Sequence, residues 1–187
     1  FKVPKPEWVE MAEFRLESPL VKCIAPAKAY ALASFTPGRN LVEACHELMT
    51  RINADFKFVP GFTTISTPLE IVFHEKKGVC QDFAHVGIAC LRSLGLPARY
   101  MSGYIETLPP PGKEKLVGAD ASHAWFSVFV PHTGWIDFDP TNNQIPREKH
   151  IVVGWGRDYS DVTPLKGVIY NSGNQELKIA VDVVGLS

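Results

Sequence analysis

A thiol, an imidazole and two carboxylates follow one another along this chain in settings that suit covalent catalysis. Cys80 opens an apolar helical run, His123 begins an apolar strand, and Asp137 and Asp139 belong to the strand after it. A cysteine in the first turn of a helix lies among backbone N–H groups without intrahelical partners and at the positive end of the helix dipole, which favours the thiolate. An imidazole can take the thiol proton and a carboxylate can orient the imidazole, so these residues predict a nucleophilic triad.

The other cysteines have settings that favour packing. Cys45 recurs with apolar residues at helical spacing, and Cys90 lies in the middle of an apolar helix with no polar neighbour to activate it. A buried free cysteine usually behaves as a small hydrophobic side chain. Four cysteines with no C-x-x-C pair are too few for a disulfide framework in 187 residues, so we expect a reducing, cytoplasmic setting.

Among the six histidines, His123 has the most suitable context. It begins an apolar strand next to Trp125, where its ring can be held rigidly. His85 lies more than one turn beyond Cys80 on the same helix, so it either lines the site or packs against the sheet. His132 falls in a predicted turn, where exposure is the default.

The choice of carboxylate depends on the hairpin that follows His123. Asp137 and Asp139 point to the same side of a regular strand, and either could meet His123 across the hairpin. Asp139 is preferred because a proline fixes the chain directly after it. A four-residue turn over 131–134 would place Asp139 opposite Phe126, so contact with His123 requires a bulge or a different loop closure.

The hydrophobic pattern predicts helices in the first half of the chain and strands in the second. Residues 7–16 fit neither period. Helical spacing predicts helices over 25–35, 41–52, 67–77 and 80–94. Short apolar runs and alternation predict strands over 56–59, 99–105, 123–130, 135–139, 168–170 and 177–183. This order indicates an α+β fold with an antiparallel sheet.

Punctuation residues set the expected helix ends. Asn40 is the predicted N-cap of the second helix. Thr67 is the predicted N-cap of the third, where Glu70 would complete a capping box, and Gly78 is expected to end that helix. Gly95 supplies a left-handed stop after the Cys80 helix. The proline-rich segment 106–118 is a predicted loop that either lines a substrate site or is a surface excursion.

Length and charge exclude several classes of protein. The 187 residues, 45% of them hydrophobic, predict one domain over 1–187, with a helical part over 1–97 and a sheet part over 98–187. A net charge of −1 without a long basic run argues against nucleic acid or an anionic membrane as partner. No stretch reaches the ~18 apolar residues of a membrane span. The chain begins with Phe1 instead of Met, which indicates a fragment or a processed protein.

Several blocks together resemble the microbial transglutaminase-like superfamily. They are 78–85 (GVCQDFAH), 90–100 (CLRSLGLPARY), 122–125 (SHAW), 134–135 (GW), 139–142 (DPTN), 150–153 (HIVV) and 156–162 (GRDYSDV). The resemblance covers about residues 36–170. It implies a papain-like Cys-His-Asp triad, carried over to Cys80, His123 and Asp139, with the nucleophile helix packed on an antiparallel sheet. Bacterial members often carry a further N-terminal β-rich region, which we expect this chain to lack.

The predicted activity is acyl transfer on peptide or carboxamide bonds through a thioester, with a peptide or protein as substrate and no cofactor or metal. Hydrolysis gives a cysteine peptidase or amidase, and an amine acceptor gives a transglutaminase. The first oxyanion donor is the Cys80 backbone N–H, and the second is a side chain from 63–67 or another backbone N–H. Two further alternatives are an inactive binding domain and a zinc site formed by Cys80, His123 and Asp139.

Overall fold

The computed structural model describes residues 6–106, 121–164, 167 and 180–183. Within these residues the helices are α1 (Pro6–Glu13), α2 (Ala25–Leu32), α3 (Leu41–Asp55), α4 (Leu69–Glu75) and α5 (Cys80–Ser93). Two short parallel strands flank α4, namely β1 (Lys57–Phe58) and β2 (Lys77–Gly78). The main sheet consists of β3 (Ala98–Ile105), β4 (Ala121–Val130), β5 (Gly134–Phe138) and β6 (His150–Gly156). A short 3₁₀ turn, Tyr159–Asp161, follows β6.

The main sheet confirms the predicted α+β class. Its strand order is β5-β4-β3-β6, and every neighbouring pair is antiparallel. Helix α5 packs across β4 and β3, and the core between them contains the fully buried rings of Phe83, Phe126 and Phe138. Complete burial of one such side chain stabilises the fold by roughly 1.5–3 kcal/mol. The helix that begins at Cys80 is therefore held against the sheet by its apolar face.

The C-terminal end of α5 is anchored by a buried arginine. The Arg92 guanidinium donates hydrogen bonds to the carbonyl oxygens of Phe14, Ala98 and Arg157 and to the hydroxyl of Ser18. Burial lowers the pKa of Arg92 to about 10. The left-handed stop predicted at Gly95 is confirmed by its φ of 77°.

The two predicted caps have different outcomes. Asn40 caps α3 as predicted, because its side chain accepts the Val42 N–H at 2.9 Å. The prediction for Thr67 is wrong: its hydroxyl accepts the Thr64 N–H at 2.8 Å, inside the turn before the helix. Pro68 then keeps an extended ψ of 142° and α4 begins one residue later. The helix ends at left-handed Lys76, since Gly78 already belongs to β2.

The fourth strand of the main sheet was not predicted. β6 pairs with β3 over 150–156, with an irregularity at Gly103. The strand expected over 177–183 is not present in its described part, 180–183, and the remainder lies outside the described residues, as do 168–170 and the loop beyond residue 106. The ambiguous segment 7–16 overlaps helix α1, which spans Pro6–Glu13. Among the described residues, no helix is long and apolar enough to cross a bilayer.

Candidate active site

Cys80 occupies the first position of α5, with its side chain half-buried. The N-cap residue, Val79, has no side-chain acceptor, so the helix start is held from inside its first turn. Asp82 accepts the Val79 N–H at 2.8 Å and the Thr63 hydroxyl at 2.5 Å. Burial raises the pKa of Asp82, and these two hydrogen bonds partly offset the effect. These two hydrogen bonds, called the Asp82 clip below, hold the first turn of α5 in which Cys80 lies.

Gly78 is the residue that lets this clip close. A Cβ added at Gly78 would lie 2.6 Å from Asp82 Oδ2 and 2.7 Å from Asp82 Cβ. Real Cβ atoms do not approach so closely, so any larger residue would push the Asp82 side chain away. The spacing Gly78-x-Cys80-x-Asp82 therefore has a local structural cause.

His123 and Asp139 meet across the β4–β5 hairpin. The His123 Nε2 donates to Asp139 Oδ2 at 2.8 Å. The hairpin pairs Val130 with Gly134, so its turn contains three residues and Phe138 lies opposite Phe126. The different closure that the sequence required is therefore the one found, and no bulge is needed in this pair of strands. Asp139 follows the end of β5 and reaches His123 diagonally.

Trp125 and Asp137 repeat this diagonal geometry one step along the same face. The indole Nε1 donates to Asp137 Oδ2 at 3.0 Å. Diagonal neighbours in an antiparallel pair lie within reach of long side chains. Trp125 is fully buried, and its ring lies 5.9 Å from that of His123. The second candidate carboxylate is thus occupied by the tryptophan, and Asp139 alone meets the imidazole.

The Asp139 carboxylate is completely buried and accepts five hydrogen bonds. Oδ1 accepts the backbone N–H groups of Thr141 and Asn142. Oδ2 accepts His123, His150 Nε2 at 3.0 Å and Asn142 Nδ2 at 2.8 Å. Burial alone would raise the pKa of this carboxyl, but the hydrogen bonds and the nearby imidazole charge hold it well below its usual range. Asp139 is therefore a fixed negative charge.

The surroundings of His123 favour its positively charged form. Burial disfavours the imidazolium, yet hydrogen bonds to Asp139 and Cys80 outweigh it and raise the pKa of His123 to about 9. Because Nε2 is bound to Asp139, Nδ1 is the ring nitrogen left for the sulfur. The structure thus joins His123 to Asp139 by a hydrogen bond and places Cys80 near enough to raise the pKa of the same imidazole.

Two residues that competed for a role lie apart from these three site residues. Burial raises the pKa of Cys90, which is fully buried, so its thiol stays protonated. Burial also lowers the pKa of His85 to about 4. The neutral His85 ring accepts the Tyr159 N–H at 3.2 Å and packs against Tyr100. The alternative in which His85 packs against the sheet is the one observed.

Two residues of the site were missed in the sequence. Asn142 belongs to the DPTN block, and its side chain and backbone both donate to Asp139, whose carboxylate forms an Asx turn with the residues that follow it. His150 begins β6, a strand that the sequence did not reveal, so nothing indicated that it would face Asp139. The nitrogen and oxygen atoms of His123, Asp139 and His150 lie within 4.8 Å of one another, close enough for a metal. Both imidazoles point at Oδ2 as donors, which accounts for their arrangement without one.

A model of the transglutaminase-like superfamily matches residues 29–140, a span that includes Cys80, His123 and Asp139. The chain belongs to the transglutaminase-like superfamily. An uncharacterized protein of Mycobacterium tuberculosis is 49% identical over 177 residues, covering 92% of this chain and 56% of the relative. The chain thus spans about half the length of the curated relatives it matches.

A protein-glutamine gamma-glutamyltransferase of Pseudomonas aeruginosa is 35% identical over 78 residues, covering 41% of this chain and 12% of that protein. Among solved structures, a candidate cysteine protease from Cytophaga hutchinsonii is similar with a TM-score of 0.68 at 28% identity. The match covers 82% of this chain and 49% of that one. The predicted family and its α+β fold are therefore confirmed.

Proposed function

We propose that this chain is a cysteine-dependent acyl-transfer enzyme that hydrolyses peptide or carboxamide bonds through a thioester. The observation that carries the proposal is the buried hydrogen bond between His123 and Asp139, with Cys80 near enough to raise the pKa of the same imidazole. The similar protein from Cytophaga hutchinsonii, a candidate cysteine protease, supports the hydrolytic choice. The substrate is a peptide or protein.

The first step forms the thioester. The Cys80 thiolate attacks the carbonyl carbon, and the Cys80 backbone N–H, at the helix start, is the proposed first donor to the oxyanion. The tetrahedral intermediate collapses, the C–N bond breaks, and His123 donates its proton to the leaving nitrogen. Asp139 stabilises the imidazolium before this transfer and keeps Nε2–H in place after it.

The second step resolves the thioester. Neutral His123 takes a proton from water, the resulting hydroxide attacks the acyl carbon, and the C–S bond breaks. The products are a carboxylic acid and the restored thiolate–imidazolium pair. Thr63, one of the candidates for the second oxyanion donor, has its hydroxyl committed to Asp82, so we do not propose it for that role.

Amine transfer is the second candidate, and the Pseudomonas aeruginosa relative named a protein-glutamine gamma-glutamyltransferase favours it. The two reactions share the thioester and differ only in the acceptor. Incubating the protein with a glutaminyl peptide and a fluorescent primary amine separates them by mass. Hydrolysis converts the amide to an acid, and transfer adds the amine.

A thiol-directed amide-mimic probe tests the shared thioester chemistry before any substrate is known. We expect labelling at Cys80 that is lost in Cys80→Ala and His123→Ala while the fold is retained. Absence of labelling in the unmodified protein would favour an inactive binding domain. Metal analysis of the purified protein tests the remaining alternative, a zinc site.

A further inference from the structure

His150 reaches the site from a strand that is not a neighbour of the strand carrying His123. It begins β6, and β3 separates that strand from β4. Its ring nevertheless contacts Asp139 Oδ2 at 3.0 Å. The side chain is only 3% exposed, so this contact is shielded from water. Hydrogen bonds to a charged group are stronger in such a buried environment than in solvent.

Gly103 clears the path between the two strands. It lies opposite His123 in the β3–β4 register. A Cβ at this position would lie 2.8 Å from the Trp125 ring and 2.0 Å from the Ile151 carbonyl oxygen. Without a side chain there, β6 and Trp125 approach each other over β3. The arrangement of the site therefore depends on a glycine, because any side chain at position 103 would collide with Trp125 and Ile151.

Trp125 holds the His150 ring in one orientation. The two rings meet edge to face, with centroids 5.1 Å apart and planes at 84°. Trp125 is itself fixed by its hydrogen bond to Asp137. The imidazole is thus clamped between an immobile indole and the carboxylate, and it must donate through Nε2–H, because the ionised Asp139 can only accept.

The chemistry of the shared oxygen explains what this donor does. Oδ2 is the atom that orients His123, and its lone pairs are divided among His123, His150 and Asn142. Donors to an ionised carboxylate favour the charged form and prevent the group from rotating. Removing one donor leaves the carboxylate freer to rotate, so that Oδ2 is no longer held in the direction of His123.

We propose that His150 is a positioning residue of the catalytic centre, which acts on Cys80 through Asp139 and His123. This inference rests on the proposed function, since it assigns His150 a part in thiolate formation. The titratable groups that face one another here are Cys80, His123, Asp139 and His150, with Asp137 behind Trp125.

The test is the rate of Cys80 alkylation by iodoacetamide between pH 5 and 10, measured by mass spectrometry of the Cys80 peptide. His150→Phe keeps an aromatic ring and removes the donor, and His150→Gln keeps an N–H donor. We expect a roughly tenfold lower alkylation rate at pH 6 in His150→Phe. The change in rate that accompanies deprotonation of His123 should move to lower pH. His150→Gln should recover much of the rate, and His74→Phe, at an exposed histidine, should match the unmodified protein.

A His150→Phe profile that overlays that of the unmodified protein would overturn the role of His150 and leave the proposed function standing. If Cys80 of the unmodified protein reacts at pH 6 no faster than exposed Cys23, the proposed function fails, and the role of His150 fails with it. Should His150→Phe not fold, ¹⁵N-histidine NMR of the unmodified protein decides: we expect a protonated Nε2 on His150, and an Nδ1–H tautomer would contradict the inference.

Discussion

The two ends of helix α5 are built for different purposes. At the C-terminal end, Arg92 satisfies three carbonyl oxygens and a hydroxyl, and Cys90 is buried with its thiol protonated. At the N-terminal end, Cys80 is half-buried and in contact with His123. The same residue type, ten positions apart on one helix, is inert at one end and in contact with an imidazole at the other.

The difference shows that reactivity here depends on the surroundings of the sulfur. Burial of Cys90 outweighs the opposing charge of Arg51 and keeps the thiol neutral. Cys80 has a helix start, an imidazole and, behind it, a buried carboxylate. Arg92 anchors one end of the helix and Cys80 carries the chemistry at the other, so changes at the first end should affect mainly stability and changes at the second mainly activity.

The largest expected effect comes from replacing the Cys80 thiol, with replacement of the Cys90 thiol as the comparison. Cys80→Ala removes the sulfur that lies beside the His123 imidazole, so acyl transfer should fall by roughly 10⁶-fold, as when the nucleophile of a triad is lost. Turnover or probe labelling measures the loss. Cys90→Ala should retain activity and lose about 1 kcal/mol of stability, and loss of labelling in Cys90→Ala would contradict the assignment.

Asp139→Asn should have the next largest effect. An amide carries one acceptor oxygen, so its NH₂ group would face either two backbone N–H groups or three side-chain donors. We expect activity to fall by about 10²–10⁴-fold and the free energy of unfolding by about 2 kcal/mol. Asp137→Asn is the matched control, because an amide oxygen still accepts the Trp125 N–H, and it should change activity less than tenfold. Equal losses in both variants would remove the distinction between the two carboxylates.

Arg92→Met tests the anchored end. The substitution keeps an aliphatic stem and leaves the acceptors of Phe14, Ala98, Ser18 and Arg157 without this donor. We expect the free energy of unfolding to fall by about 3 kcal/mol, measured by urea denaturation. Activity per folded molecule should stay within a few-fold at low temperature. A large loss of activity in fully folded protein would show that the two ends are coupled more tightly than proposed.

Gly78→Ala should give the smallest effect of the series. The new methyl group displaces the Asp82 side chain and weakens the clip at the helix start, with an expected cost of about 1–2 kcal/mol and a reduced rate at Cys80. Gly154→Ala is the control, because a Cβ there meets only Val162 at an ordinary 3.7 Å. If both variants behave alike, the clip has no part in orienting the cysteine.

The sequence predicted those parts of the fold that depend on local signals. Periodicity and end signals located α5 from Cys80 to the stop at Gly95, and the Asn40 cap, because these features are set by neighbours along the chain. The same reasoning named Cys80, His123 and Asp139 as candidates, since a helix start and a hairpin present them in recognisable settings.

The remaining features depend on contacts that sequence patterns do not carry. Strand β6 is the outermost strand of the sheet among the described residues and leaves Val153 and Trp155 exposed, so it lacks the alternation of a half-buried strand. His150 therefore had no visible partner. Thr67 looked like a helix cap, but its hydroxyl accepts the Thr64 N–H within the preceding turn. Capping α4 and closing this turn are two competing uses of the same hydroxyl, and the local sequence does not show which is preferred. The register at His123 depended on one residue of turn length.

The most direct test of the account is an NMR titration of the His123 imidazole in the unmodified protein and in Cys80→Ala. A pKa raised from 6.5 to about 9 means that the imidazolium is retained through neutral pH and that its stabilising contribution, complete below 6.5, is lost as pH rises through 9. We predict titration near 9 in the unmodified protein, a lower pKa in Cys80→Ala, and turnover that falls across the same interval. Titration of His123 near 6.5, unchanged by removal of the sulfur, would contradict the thiolate–imidazolium pair.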